Sequence, residues 1–473
     1  MTPQSTPKPS CSSKKNAKSA HARARYHTSN AHTTESPQNL ASQQTAPYHH
    51  TTPQSPILHN SQNPHNRTYS LAIVTGTRAE WGLLYPLARK IKANTHFSLR
   101  IIATGAHLQP RHGSTYKEIE SDGFTIAAKI PILSRNSNTR QDIANAIAKG
   151  ITRFSAYFLA NPCDMLILLG DRYEAFAAAI ACANANIPIA HIAGGESTQG
   201  ANDEYMRHCI SKMSYLHFPA TALYAKRLIQ LGEAPERVFN VGSLAVENIA
   251  NTVLLDSMQL SQRLHISQDF LSNFCLLTFH SSTLESSNPA DEIILLLQAL
   301  LKTPYNIIAT KANADALGAN INAVLETFAR KYPHRILLCA SLGRVGYLSA
   351  LKLARFVIGN SSSGLSEAPI LQVPTINIGH RQQGRFMPDS VLSPNPAAIE
   401  SSTSKATSNP ACKKAYRDAI LQAISTIESK SFQARLDSIS HPFGLGDTSA
   451  RIVEIIESSL QKGINLKKAF FML

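Results

Sequence analysis

The sequence predicts an α/β protein built from two similar halves, each a parallel sheet covered by helices on both faces, with a cleft between them. Two observations carry this. Short apolar runs alternate with stretches of helical pattern, and after about residue 243 the series starts again. A third is length: 473 residues exceed one ordinary domain, at roughly 150 residues per domain.

In the first half the strands are expected at "SLAIVTG", "SLRIIATG", "CDMLILLGD" and "IPIAHIAGG", with "LLYPLARKIKA" and "RYEAFAAAIACANA" as covering helices and a variable stretch left unassigned before "CDMLILLGD". "YLHFPA", a helix over 221–231 and "RVFNVGS" complete it. The second half runs "FCLLTFH", a helix over 289–302, "YNIIATKA", a helix over 317–332, "HRILLCAS", a helix over 345–354, "FVIGNSSSG" and "PTINIG". "HPFGLGDTSARIVEIIESSL" ends the chain, with Asp447 or Thr448 expected to cap a last helix. A Ser, Pro and Asn-rich loop over 380–412 has no assignment. The organisation expected is an arm at 1–67, halves at 68–245 and 246–440, a terminal helix at 441–462 and a tail at 463–473.

The arm is rich in Ser, Thr, Gln, Asn, His and Pro and holds almost no large apolar residues, so it cannot offset its ordering entropy and is expected to be disordered. Seven Lys and Arg against Glu35 make it basic, and it takes much of the chain's +15 charge. That concentration leaves the body modestly charged, and the arm reads as a solvated tail rather than a nucleic-acid or membrane ligand. No run approaches the ~18 apolar residues of a membrane span and no signal-peptide core is present, so a cytoplasmic protein is expected. The seven cysteines lie far apart without CxxC or zinc spacing, and are expected reduced and mostly buried.

In open α/β sheets ligands bind beyond the carboxyl ends of the strands, and the unusual polar residues of this chain fall there. "VTGTRAEWG" brings Arg78 and Glu80 to a helix start, whose free amides favour phosphate. It lacks both GxGxxG and a Walker lysine, so neither a dinucleotide nor an ATP site is signalled. Asp171 in "LLGDRYE" reads equally as a helix cap or as an acid. "HIAGGESTQGANDEYMRH" adds His191, Glu196, Asp203, Glu204, Arg207 and His208 at the same edge, and acids converging on one cleft point to chemistry. In the second half "TFHSSTLE" places His280 after a strand, where a core histidine is the other reading. "IGNSSSGLSEAP" runs through Ser361 to Ser363, a cap or an anion site, to Glu367, which could accept from both hydroxyls of a ribose. Acids on one side and a nucleotide diphosphate site on the other indicate a sugar nucleotide.

In that order, "GTRAEWG", "GDRYE", "HIAGGES" with "DEYMRH", "TFH", "SLGRVGYL", "IGNSSSGLSEA" and "PTINIGHRQQGR" resemble the hydrolysing UDP-N-acetylglucosamine 2-epimerases, bacterial enzymes of sialic and legionaminic acid synthesis. The resemblance spans about residues 70–460. It implies two Rossmann-like domains of the glycosyltransferase B fold, with the final helix crossing back to the first. By position it implies that Arg78, Ser361, Ser362, Glu367 and Arg381 hold UDP, and that Asp171, Asp203, Arg207 and His280 line the reacting sugar. Several relatives carry Glu where this chain has Ala193; either that acid is dispensable or Glu196 replaces it. The resemblance further implies no metal and no cofactor, a UDP-sugar as partner and a homo-oligomer, dimer or tetramer. A glycosyltransferase of the same fold and a non-catalytic sugar-nucleotide binder are the alternatives.

Overall fold

A computed structural model describes residues 67–285, 288–394 and 409–473. The expected disordered arm lies outside the described residues except for Arg67, as does 395–408 of the unassigned loop.

Six strands, β1 (Tyr69–Thr75), β2 (Phe97–Thr104), β3 (Ile126–Ile130), β4 (Met165–Leu169), β5 (Ile189–Ile192) and β6 (Leu216–Phe218), form one parallel sheet in the order β3-β2-β1-β4-β5-β6. Another six, β7 (Phe274–Thr278), β8 (Asn306–Thr310), β9 (Ile336–Cys339), β10 (Val357–Gly359), β11 (Thr375–Asn377) and β12 (Val391–Leu392), form a second parallel sheet in the order β12-β11-β10-β7-β8-β9. Counted from its own first strand, each sheet has the same order. Strand direction of travel therefore reverses between β1 and β4 in one, and between β7 and β10 in the other. A crevice opens at each such point, beyond the strand ends. Residues just after these four strands are Thr77 and Arg78, Asp171 and Arg172, His280, and Asn360 to Ser362.

The strands are central because they are apolar on both faces: β4 and β7 are buried at every position. Helices cover them where sequence allows close approach. In the Arg140–Ala160 helix, a Cβ on Gly150 would lie 2.8 Å from that of Ala177. The glycine and the alanine-rich Tyr173–Asn184 helix thus pack nearly backbone to backbone. The Arg78–Ala93 helix begins with a reciprocal cap, Thr77 accepting from the Glu80 amide while Glu80 accepts from the Thr77 amide.

The stretch left unassigned contains β3 and the 21-residue Arg140–Ala160 helix. "RVFNVGS" is not a strand; Val238 makes only an isolated bridge to His217. The terminal helix is Thr448–Lys462, and Asp447 and Thr448 do not cap it with their side chains. Thr448 Oγ1 donates to the Val241 carbonyl, and the free Ser449 amide is taken by the Glu247 carboxylate at 2.6 Å. That charge at the helix start does the work of a cap. Ile452, Val453 and Ile456 join the core on the first sheet. Among the described cysteines only Cys182 and Cys275 are buried, Cys209 is exposed, and all six are free. Among the described residues no helix is long and apolar enough to cross a membrane.

Candidate active site between the two sheets

Two adjoining cavities, about 170 and 190 Å³, occupy the crevices. The nine residues that the resemblance assigned to UDP or the sugar, and Glu196, line them; His191, Glu204 and His208 do not. Arg78, His280, Ser361, Ser362, Glu367 and Arg381 line the cavity toward the second sheet; Asp171, Glu196, Asp203 and Arg207 line the one toward the first. Arg381, Ser362 and Asn313 border both.

On the first-sheet side carboxylates meet arginines. Asp171 does not cap the following helix, whose N-cap position is Arg172; its carboxylate pairs with the buried Arg207. Arg207 also meets Glu204 at 3.2 Å, the Glu196 carbonyl at 3.1 Å and Thr198 Oγ1 at 2.7 Å. Glu204 accepts from Ser197 and Thr198 and lies against His208, so it braces the loop. From the second half Arg385 reaches Glu196 at 3.0 Å and Asp171 at 3.9 Å, and Arg381 reaches Asp203 at 3.6 Å. Burial pushes the Asp203 carboxyl above its ordinary range, and the nearby Asp315 adds to this.

His191 stands apart from this group. It is buried, with Nε2 against the Gly170 carbonyl at 2.7 Å and Nδ1 against Ser211 Oγ at 3.1 Å, and burial pushes it down to about 3. It shapes the turn before Asp171. Ala193 lines the cavity with φ of 63°, a conformation unusual for a residue with a side chain.

On the second-sheet side the groups are mostly neutral. Asn360 accepts from the His280 amide at 2.7 Å and donates to its carbonyl at 2.8 Å. His280 Nδ1 accepts from the Asn313 amide at 3.2 Å, so in the neutral ring Nε2 carries the hydrogen. Burial, helped by Arg381, pushes this histidine down to about 3. It is a neutral donor near pH 7, not a base. Gly359 has φ of 134°, and a Cβ there would stand 2.0 Å from the Thr278 carbonyl, so only glycine lets β10 end against β7. The helix expected to offer a phosphate site is only Ser363–Ser366. Its dipole is too short to attract an anion strongly. Beside it the hydroxyls of Ser361 and Ser362 and the guanidinium groups of Arg78 and Arg381 line the cavity. Glu367 is pushed up to about 7 by burial.

Sequence reasoning missed Arg385, Arg172 and Asp315. The two arginines lie inside the quoted "HRQQGR" and "GDRYE", next to residues that were singled out. Asp315 follows β8 and pairs with Arg172 at 3.1 Å across the cleft; its position after a strand end was the available signal.

Twin sheets of this order with acids on one side of the cleft and hydroxyls on the other define an enzyme of the glycosyltransferase B fold class. The sequence profile of the UDP-N-acetylglucosamine 2-epimerase family matches residues 89–457. A GDP/UDP-N,N′-diacetylbacillosamine 2-epimerase (hydrolysing) of Campylobacter jejuni is 45% identical over 324 residues, 68% of this chain and 83% of that protein. A UDP-N,N′-diacetylbacillosamine 2-epimerase (hydrolysing) of Legionella pneumophila is 34% identical over 319 residues, 67% and 83% of the two chains. The crystal structure of the Methanocaldococcus jannaschii UDP-GlcNAc 2-epimerase with UDP-GlcNAc and UDP shares the fold, with a TM-score of 0.62 at 17% identity, over 82% of this chain and 100% of that one. The chain belongs to the UDP-N-acetylglucosamine 2-epimerase family, on its hydrolysing branch.

Proposed function

We propose that the protein hydrolyses UDP-N,N′-diacetylbacillosamine with inversion at C2, releasing UDP and the free manno-configured 2,4-diacetamido-2,4,6-trideoxy sugar. The observation that carries the chemistry is the set of three carboxylates, Asp171, Glu196 and Asp203, each met by an arginine, beside a cavity of hydroxyls. For the substrate, the 45% identity to a relative named for the diacetylated sugar supports it. So does the apolar wall of Ile192, Ala193, Phe218 and Ala220, which suits a methyl at C5 better than a hydroxymethyl.

Glu367 would accept from the ribose hydroxyls, and Ser361, Ser362, Arg78 and Arg381 would hold the diphosphate. Arg381, which borders both cavities, would stand near the bond from C1 to the departing phosphate. No carbonyl acidifies the C2 proton, so the C1–O bond breaks ahead and positive charge develops on the ring. Glu196, paired with Arg385, stabilises that charge. Asp171 takes the C2 proton, and UDP leaves with the bonding electrons while His280 donates a hydrogen bond to it. The product of this elimination is a 2-acetamidoglycal. Asp203 gives a proton to C2 on the other face, water bonds to C1 and sheds a proton to Glu196, and exchange with solvent returns the three carboxyl groups to their starting forms. Burial favours the protonated form of Asp203, which suits it to the acid role, while Asp171 is paired with Arg207. Assembly as a dimer or tetramer in the cytoplasm belongs to the same proposal.

Proton NMR of purified enzyme in D2O, with UDP-N,N′-diacetylbacillosamine or UDP-N-acetylglucosamine and no acceptor, tests this. Expected is UDP with a free manno-configured sugar deuterated at C2, formed faster from the diacetylated substrate. Faster turnover of UDP-N-acetylglucosamine would reassign the substrate. An intact sugar nucleotide that nevertheless binds would point to a glycosyltransferase or a sensor.

A further inference from the structure

Loop 311–319, which follows β8, touches both sides of the cleft. Toward the first half, the Tyr173 hydroxyl lies 3.4 Å from the Ala314 carbonyl, the Leu317 amide donates to the Asn138 carbonyl at 2.8 Å, and the Ala319 amide to Asn138 Oδ1 at 3.0 Å. Toward the second half, the Asn313 amide fixes the tautomer of His280. Between these ties sits Asp315, 3.1 Å from Arg172 Nη1 with both side chains largely buried. Arg172 borders the sugar cavity and Asp315 borders neither cavity, facing instead a third one, of about 170 Å³, with Arg111, His112, Lys311 and Glu326.

We propose that Asp315 is a positioning residue for the epimerase reaction, a latch that closes on Arg172 across the cleft and brings a fixed negative charge into the neighbourhood of Asp203 only when the two halves are together. The inference rests on the epimerase reading above. A buried ion pair between the halves favours the arrangement in which both charges are matched, because opening must rehydrate Asp315 and leaves Arg172 with Glu174 alone. The charges around the pair are Arg172, Glu174, Glu80 and Asp203 on the first half, with Arg111 and His112 beside the third cavity, and Arg381, His280 and Lys311 on the second half. Burial works to raise the Asp315 carboxyl, yet Arg172 and Arg381 outweigh it and hold Asp315 below its ordinary range. Asp203 is shifted the opposite way by burial and by Asp315. Closure thereby makes one member of an acid pair the permanent anion and leaves the other holding the proton that C2 receives. In the open cleft Asp203 would lose that neighbour and with it part of its hold on the proton, so proton return is confined to the closed enzyme.

The test is kcat and KM against pH for full-length wild type, Asp315→Asn and Asp315→Glu, read by UDP release and by NMR of the sugar. A general acid must be protonated, so its limb is the alkaline one, and removing the negative charge moves that limb to lower pH. For Asp315→Asn we expect kcat at pH 7.5 to fall at least about tenfold, KM to change by less than about threefold because Asp315 does not border the substrate cavities, and the alkaline limb to move down by roughly one pH unit. Asp315→Glu keeps the charge and should keep the limb where it is in the wild type. Unchanged kcat in Asp315→Asn, or a loss with an unmoved limb, overturns the proposal. Should that variant not fold, Asp315→Glu decides: a limb that shifts overturns the latch, and one that stays while kcat falls supports it. No turnover by the wild-type chain would instead defeat the epimerase reading itself.

Discussion

Asp171, Glu196 and Asp203 on the first sheet's edge each face an arginine, and two of those arginines, Arg381 and Arg385, come from the opposite half. Across the cleft, Glu367 is shifted by burial alone and His280 is a neutral ring. Strand order is the same in the two halves, so fold does not account for the contrast. The ligand does. A diphosphate brings its own charge and needs donors and hydroxyls, whereas a neutral sugar ring that becomes positive only in the transition state needs carboxylates already in place and already desolvated. On the proposed function one half binds the diphosphate and the other does the chemistry, and substitutions should separate them.

The largest separation is expected from Asp171→Asn. The amide keeps the shape but cannot take the C2 proton, so kcat should fall by about 10³-fold while UDP affinity stays within about twofold, since Asp171 does not border the nucleotide cavity. Turnover and isothermal titration with UDP check this; equal losses in both would make Asp171 a structural residue and erase the contrast.

Next is Arg207→Leu. It leaves Asp171 and Glu204 without their buried counter-charge, and breaking such a pair costs about 3 kcal/mol or more. Thermal unfolding should show a Tm lowered by several degrees, whereas Ser362→Ala, in the nucleotide cavity, should leave Tm nearly unchanged and weaken UDP binding. A Tm unmoved by Arg207→Leu would show that the charges on the first side are hydrated.

A smaller effect is expected from pH on the nucleotide side. Glu367 at about 7 is partly protonated in the free enzyme near neutrality. Two ribose hydroxyls donate to the carboxylate form, so binding lowers its pKa and releases a proton. Affinity for the UDP-sugar should therefore tighten as pH rises toward 7, by up to about tenfold per unit below it, and level off above. Titration calorimetry from pH 6 to 8 in buffers of different ionisation heat measures both effects. Glu367→Gln should bind with an affinity flat across that range, and a slope that persists in this variant would assign the proton to another group.

Much of this contrast was legible in the sequence, because the strands betray themselves as apolar runs and the chemistry sits one or two residues beyond their ends: Asp171 after β4, His280 after β7, Ser361 after β10. What stayed hidden depends on tertiary partners. Whether Asp171 caps a helix or pairs with Arg207 is decided by a residue 36 positions later in the chain. Arg385 is a surface cation until the second half folds over Glu196, and Asp315 is a loop acid until Arg172 meets it. The helix at Arg140–Ala160 was missed because only Ala146, Gly150, Phe154 and Phe158 of its 21 residues are buried, a narrow stripe in a polar stretch.

Ala193 offers the finest probe of the first side. Its φ of 63° costs an alanine about 1 kcal/mol that glycine does not bear, yet glycine also gains freedom in the unfolded chain, which offsets roughly 0.5 to 1 kcal/mol of that relief. Ala193→Gly should thus move Tm by no more than about 2 °C, near the shift expected from a few tenths of a kcal/mol. In the proposed binding mode the methyl also makes apolar contact with the sugar, where losing one such group costs about 1 kcal/mol or a little more. Turnover of the diacetylated substrate should fall by several-fold through KM, with UDP affinity unaffected. Preference between the two UDP-sugars, measured as the ratio of kcat/KM, should shift toward UDP-N-acetylglucosamine, because the wall that rejects its hydroxymethyl group has been opened. An unchanged ratio would place sugar selection elsewhere in the cleft and leave Ala193 as a turn residue only.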